Sequence, residues 1–238
     1  MSSRKAHYKV RERGIVVAID GPSGAGKSTV GRALAEALHY TYLDTGAMYR
    51  ALALRAIEEN IPLTDESALA ALGRRTLIDF ADSGRRVLVD GRDVTDPIRT
   101  REVTMAASSV AKLSEVRREL VSRQQQLGDQ GGVVLDGRDI GSVVFPNAEV
   151  KFYLDADTER RARRRLEELQ AKGQRSSYEA ILDEIRARDH QDMTRLDSPL
   201  IRSTDSHYVD TTDLSPAAVV AILLESVRER IAMAASNP

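Results

Sequence analysis

GIVVAIDGPSGAGKST, from Gly14 to Thr29, is the stretch that decides the fold. Its first seven residues, Gly14 to Asp20, are a short apolar run rich in β-branched side chains, which reads as a strand buried on both faces. From Lys27 to His39, Val30, Leu34, Ala37 and Leu38 recur at helical spacing, so a helix follows. Between strand and helix, Gly21-Pro22-Ser23-Gly24-Ala25-Gly26-Lys27-Ser28-Thr29 fits the pattern G-x-x-x-x-G-K-[ST] at every required position. Glycines let successive backbone N–H groups turn inward around an anion with no Cβ in the way, and the helix behind them adds the positive end of its dipole. Lys27 is then placed to bridge the β- and γ-phosphates as a compact charge, and the Ser28 hydroxyl to reach a Mg²⁺ ion. A turn that merely joined strand to helix would need neither the lysine nor the hydroxyl. The pattern predicts a nucleoside triphosphate site.

Outward from this unit, strands and helices alternate. TYLDTGAMYRALALRAIEEN gives a short strand and a helix, GGVVLDGRDIG another buried strand ending in a polar turn, and VKFYLDAD a third. HYVDTTDLSPAAVVAILLESVRERI closes the chain with a strand and an amphipathic helix. About five strands alternating with helices predict an α/β fold, a parallel sheet with helices on both faces. Val103 to Gln126 is expected to be one helical stretch. RRVLVDGRDVT reads as a hairpin around Asp90-Gly91 inside an insert at about 61–102. The tetrapeptide Asp-Gly-Arg-Asp occurs at Asp90 to Asp93 and again at Asp136 to Asp139; the flanks differ, so the repeat is taken as coincidence.

Bulk composition narrows the classes. Hydrophobic residues make up 42% and charged residues 30%, an ordinary globular balance in a chain of 238 residues. No apolar run is long enough to cross a bilayer and no secretory signal is present, so a cytoplasmic protein without membrane contact is expected. The absence of cysteine removes disulfides, thiolate metal sites and cysteine nucleophiles, and agrees with a reducing compartment. A net charge of −1 supplies no global field for nucleic acid, yet thirty-five lysines and arginines leave enough for a local anion site. Residues 1–13 are expected to be a disordered polar leader, 14–232 a single domain and 233–238 a C-terminal tail.

Loops of this kind serve GTPases, motors and small-molecule kinases, so the rest of the chain must choose. There is no N-K-x-D guanine-reading motif, and the VVLD strand continues into Gly-Arg-Asp rather than ending in an acidic pair. An arginine there points to a second anion. Transfer between two phosphorylated nucleotides gathers several negative charges, and arginine holds phosphate bidentately without losing its own charge. Arg160, Arg161, Arg163, Arg164 and Arg165 crowd one helix, and Arg188, Asp192 and Arg195 share a face of the next. Residues at about 157–195 therefore read as an arginine-rich lid, which closes over polyphosphate and keeps water from the phosphoryl donor.

Taken with YLDTGAMYRALAL, IRTREV, AASSVA, VRRELVSRQ, VLDGRDIGSVVFPNA, KFYLDA and RDHQDMTR, the sequence resembles the bacterial cytidylate kinases, within the nucleoside monophosphate kinases, over nearly its whole length. The resemblance implies a P-loop kinase fold of five parallel strands, with the insert as an enlarged monophosphate-binding region. It implies transfer of the γ-phosphoryl group of ATP to CMP or dCMP, directly and in line, with Mg²⁺ and no covalent enzyme intermediate. Lys27, Arg138, Arg188 and Arg195 would be catalytic, and Gly21 to Thr29 with Arg164 would bind ATP. Thr211 and Thr212 would border its adenine. Thr45, Arg50, Arg138 and Arg195 would hold the acceptor phosphate, Arg188 and Asp192 its phosphate and ribose, and Ser108, Arg117 and Asp139 the base. A carboxylate beside an arginine complements the amine and acceptor edge of cytosine, whereas uracil would turn a carbonyl to the carboxylate. The residues alone leave open a P-loop kinase for another acceptor such as UMP, AMP or a sugar acid, or a regulatory module that binds ATP and transfers nothing. The expected form is a monomer with nucleotides as its partners and no nucleic acid.

Overall fold

The computed structural model describes residues 14–171 and 173–235; the leader expected over 1–13 lies outside them. The run that opens the domain forms strand β1 (Val16–Asp20), and the phosphate loop leads into helix α1 (Lys27–Leu38). Strand β2 (Thr41–Asp44) and helix α2 (Thr45–Glu58) follow. The insert contributes α3 (Glu66–Arg75) and three short strands, β3 (Ile78–Ala81), β4 (Arg86–Val89) and β5 (Arg92–Asp93). After α4 (Arg101–Val110) and α5 (Ser114–Gly128), strand β6 (Val133–Gly137) ends in a single π-turn at Ile140–Val144. Strand β7 (Val150–Asp155), helices α6 (Thr158–Ala171) and α7 (Tyr178–Thr194), strand β8 (His207–Asp210) and helix α8 (Pro216–Ala235) follow.

The main sheet has the order β2-β6-β1-β7-β8, with every neighbouring pair parallel. β1 is central and all five of its residues are buried, as its unbroken apolar run requires. Alternation sorts its side chains between the two faces: Val17 and Ile19 pack with Leu34 of α1 and Leu223 of α8, while Val16 and Ala18 pack with Ile140 and Val144 of the π-turn. A separate apolar cluster joins α2, α3, α4 and α5 to the insert strands, with Met48, Leu52, Leu72, Val89, Ile98 and Leu120 among its members. Helices α6 and α7, in the region expected to be a lid, bury far less, around Ala162, Ile181 and Ile185.

Two expectations change. The single helix expected from Val103 to Gln126 is two helices broken at 111–113. No Gly or Pro marks the break; the chain turns through Lys112 N–H to Ser109 O and Leu113 N–H to Val110 O, and Arg117 Nη1 donates to the freed Ala111 carbonyl at 3.2 Å. The last helix also runs to Ala235, beyond the domain end expected at 232. The hairpin at Asp90-Gly91 forms as read, with φ of 50° and 80° at its two turn residues.

Candidate active site

The phosphate loop is shaped by contacts that only glycine permits. Gly21 has φ 146°, and a Cβ there would lie 1.9 Å from the Leu154 carbonyl oxygen of β7. Gly26, at φ 90°, caps α1 without a side-chain hydrogen bond, which leaves the first N–H groups of the helix free for an anion. The remaining loop residues are tied from behind: Pro22 O accepts from Lys27 Nζ at 2.7 Å, Ser23 O from Arg161 Nη1 at 3.1 Å and Ala25 O from Thr211 Oγ1 at 3.1 Å. Gly24 lies against the Arg161 side chain, and Thr29 is exposed in the first turn of α1. Burial pushes the Lys27 ammonium down to about 7, and the nearby Arg138 and Arg188 push the same way against Asp136.

Asp136, at the end of β6, accepts from Ser28 Oγ at 2.7 Å and from Tyr42 OH at 2.8 Å. Burial and the neighbouring Asp44 raise its carboxyl. It was not among the residues singled out in the sequence, although its signal is present: an acid that ends an apolar strand, which the sheet order places beside β1.

Opposite the loop, α2 begins under an Asp44 cap, with Ala47 N–H on Oδ1 at 2.9 Å. The same carboxylate takes Arg50 Nη2 at 2.8 Å, while Thr45 Oγ1 donates to the Asp136 carbonyl at 2.7 Å. Arg138 Nε donates to Asp192 Oδ2 at 2.7 Å. Burial would raise the Asp192 carboxyl, but Arg138, with Arg188 and Arg195, holds it below the ordinary carboxylate range. Arg188 makes no hydrogen bond or ion pair among the described residues, and burial together with Arg138 pushes it down to about 10.

The expected base readers only partly meet. Arg117 and Asp139 form a buried pair at 2.5 Å, and Arg195 Nη2 approaches the other Asp139 oxygen at 3.6 Å. Tyr49, from the Asp-Thr-Gly-Ala-Met-Tyr-Arg stretch, places its ring 5.5 Å under the Arg117 guanidinium and was not picked out from sequence. Ser108 stands apart from the pair: its hydroxyl bonds back to Thr104 O at 3.2 Å, and its carbonyl receives Gln191 Nε2 of the lid at 3.0 Å.

On α6, Arg164 bonds the Thr211 carbonyl and hydroxyl and, at 3.2 Å, the Thr212 carbonyl. Arg161 is the more buried of the two. It joins the Ser23 carbonyl to Asp189 of α7, with Nη2 2.7 Å from the carboxylate. The site as a whole sets a glycine cradle beside a group of arginines, many of them parked on carboxylates that a phosphate could replace. Such an arrangement can align two phosphorylated groups and neutralise charge between them.

The family model described as cytidylate kinase matches residues 17–229. Among curated relatives, the cytidylate kinase of Bacillus subtilis (strain 168) is 50% identical over 221 residues, covering 92% of this chain and 99% of its own length. That of Geobacillus kaustophilus (strain HTA426) is 52% identical over 222 residues, covering 92% of this chain and 99% of its own. That of Citrifermentans bemidjiense is 45% identical over 225 residues, covering 94% and 97%.

Proposed function

Because this chain belongs to the cytidylate kinase family, we propose that it transfers the γ-phosphoryl group of ATP to CMP and dCMP, giving ADP and CDP or dCDP. The carrying observation is the gathering of Lys27, Arg138, Arg188 and Arg195, all largely withdrawn from solvent, beside the glycine cradle. Lys27 is pushed down to about 7 and Arg188 to about 10, in each case by burial first and by the Arg138 charge next, so added negative charge is favoured at both.

In this reading the N–H groups of Gly21 to Thr29 wrap the ATP phosphates and Lys27 bridges to the transferring group. Arg164, against Thr211 and Thr212, lies at the adenine end. Thr45, Arg50, Arg138 and Arg195 hold the acceptor phosphate. Arg188 and Asp192 hold its phosphate and ribose, and Arg117 and Asp139 read the cytosine edge with Ser108 on the adjoining helix. Arg50 and Arg138 leave Asp44 and Asp192 as the phosphate takes them, so their charge is already desolvated and aimed before the reaction begins. Arg188, with no such partner among the described residues, meets the charge that develops on the transferring group.

The residues beside Lys27 also fit a Mg²⁺ ion. Ser28 Oγ is held on Asp136, a buried carboxylate raised by burial and by Asp44, and a hydroxyl with one carboxylate suits an ion that keeps most of its waters. When bound, Mg²⁺ would neutralise the phosphate oxygens; the chain contributes Ser28 and Asp136 to hold it. We read the enzyme as a cytoplasmic monomer.

The test is an acceptor panel. ADP formation with ATP and Mg²⁺ is expected to depend on an added monophosphate and to favour CMP over UMP and AMP. A misplaced donor pair costs roughly 1 to 3 kcal/mol, so the expected preference for CMP is about five- to 150-fold. Equal rates with all three acceptors would remove the base assignment. A Lys27→Met variant with full activity would remove the mechanism.

A further inference from the structure

Asp20 ends β1 one residue before the phosphate loop, and the roles above leave it unused. It is buried, at 5% exposure. In the sheet it lies level with Gly137 of β6 on one side and Tyr153 of β7 on the other. Its two carboxylate oxygens each accept one backbone N–H, Ile140 at 2.7 Å on Oδ1 and Gly141 at 2.7 Å on Oδ2. Ile140 directly follows Arg138 and Asp139, the residues read above as gripping the acceptor phosphate and base.

We propose that Asp20 is a positioning residue: its carboxylate fixes the π-turn and so couples the strand that carries the donor loop to the turn that carries the acceptor grip. The proposal rests on the kinase reading of the site. Only an anion with two oxygens accepts both N–H groups at once; an amide satisfies one and turns its own NH₂ against the other. The turn would then shift, and displacement of a positioning group by about 1 Å can cost on the order of a hundredfold in rate. Lys151 Nζ bonds Pro146 O at 2.6 Å and Asp205 Oδ2 at 2.7 Å, which braces the far end of the same loop.

The charge state of Asp20 adds a signature that a plain packing role would lack. Burial raises its carboxyl to about 6, with Asp139 of the turn adding to the rise and the two N–H groups and Lys27 of the phosphate loop opposing it. From β7, Tyr153 feels the Asp20 charge, and Lys151 packs near Gly141. Below about 6 the carboxyl takes a proton and one N–H loses its acceptor, so the acceptor grip loosens as the pH falls.

Steady-state kinetics of the full-length Asp20→Asn variant test this. We expect kcat/KM for CMP to fall about 10- to 100-fold, chiefly through KM for CMP, while ADP affinity in the absence of CMP changes less than about twofold. Wild type is expected to lose kcat/KM for CMP below about pH 6 more steeply than the variant does. The acceptor's own phosphate titrates near pH ~6 but does so with both proteins, so the difference between profiles isolates Asp20. Equal losses of ADP and CMP affinity, or superimposable pH profiles, would overturn the assignment. Gly141→Ala reaches the same contact by another route, because its Cβ would stand 3.3 Å from Asp20 Oδ2 and 3.1 Å from Lys151 Cδ. It should raise KM for CMP in the same direction by a smaller factor. If Asp20→Asn does not fold, an unchanged KM for CMP in Gly141→Ala overturns the proposal. Failure of wild type to phosphorylate CMP would instead strike the kinase reading itself.

Discussion

Two copies of Asp-Gly-Arg-Asp sit in this chain and lead opposite lives. At Asp136 to Asp139 each of the three charged residues is enclosed by partners distant in sequence: Asp136 by Ser28 and Tyr42, Arg138 by Asp192, Asp139 by Arg117 and Arg195. At Asp90 to Asp93 all four residues are exposed. There the first two make the hairpin turn, Arg92 pairs with Glu58, and Asp93 bonds the Thr95 N–H and hydroxyl two residues away. The chemistry therefore comes from what surrounds the four letters. Burial strips water from the charges of the second copy and makes each partner matter, while solvent screens those of the first.

The largest contrast should come from the two arginines. Arg138→Ala is expected to lower kcat for CMP by on the order of 10² to 10³, the usual cost of removing one preorganised donor from developing charge. Removing one partner of a buried pair costs about 3 to 5 kcal/mol when the other is left alone, and the cost to folding should fall below that because Arg188 and Arg195 still face Asp192. Stopped assays paired with thermal melts separate the two effects. An activity loss that merely follows a loss of folded protein would break the contrast.

The glycines differ next. A Cβ at Gly137 would lie 2.7 Å from Ile140 Cδ1 and 2.8 Å from Thr45 Oγ1, whereas one at Gly91 meets nothing within 4 Å. Gly137→Ala should cost about 1 to 3 kcal/mol by overpacking and, through Thr45, raise KM for CMP. Gly91→Ala meets only the backbone penalty of φ 80°, roughly 1 kcal/mol, and should leave kinetics unchanged. Denaturant midpoints with KM values would show whether the second glycine is tied to the site and the first is not.

What could be read in advance follows the range of each interaction. Lys27 and Ser28 were legible because strand, loop and helix are contiguous. The Asp90-Gly91 hairpin was legible for the same reason. Asp136 was missed as a site residue because its partner Ser28 is 108 residues away, and Asp20 because it meets Ile140 across 120. A buried apolar run announces a strand but not its neighbour, so the order β2-β6-β1-β7-β8 stayed hidden, and with it the meeting of those carboxylates with the loop. The break at 111–113 was invisible because Lys112 is a good helix former; tertiary contacts, including Arg117 on the Ala111 carbonyl, favour the turn there. The Arg117 and Asp139 pair came from resemblance to the family, and geometry now gives it a distance. Ser108 came the same way, and its hydroxyl is turned to its own helix.

The smallest effect belongs to Arg92, and it sets the floor of the comparison. Its guanidinium lies 2.6 Å from Glu58 Oε1, with 55% of the arginine side chain and 33% of the glutamate exposed. A pair so open gains little over its hydrated parts and gives up side-chain freedom to form, so Arg92→Ala should cost about 0.2 to 1 kcal/mol at low salt. At about 1 M salt the Debye length falls to about 3 Å and the difference from wild type should shrink towards zero. The expected CMP kinetics are those of wild type under both conditions. Urea midpoints of the two proteins in low and high salt, followed by the CMP assay, measure this directly. A cost that survives high salt would mean that Arg92 contributes through the packing of its stem on α2 rather than its charge. A fall in transfer rate would couple the hairpin to the site and dissolve the distinction between the two tetrapeptides.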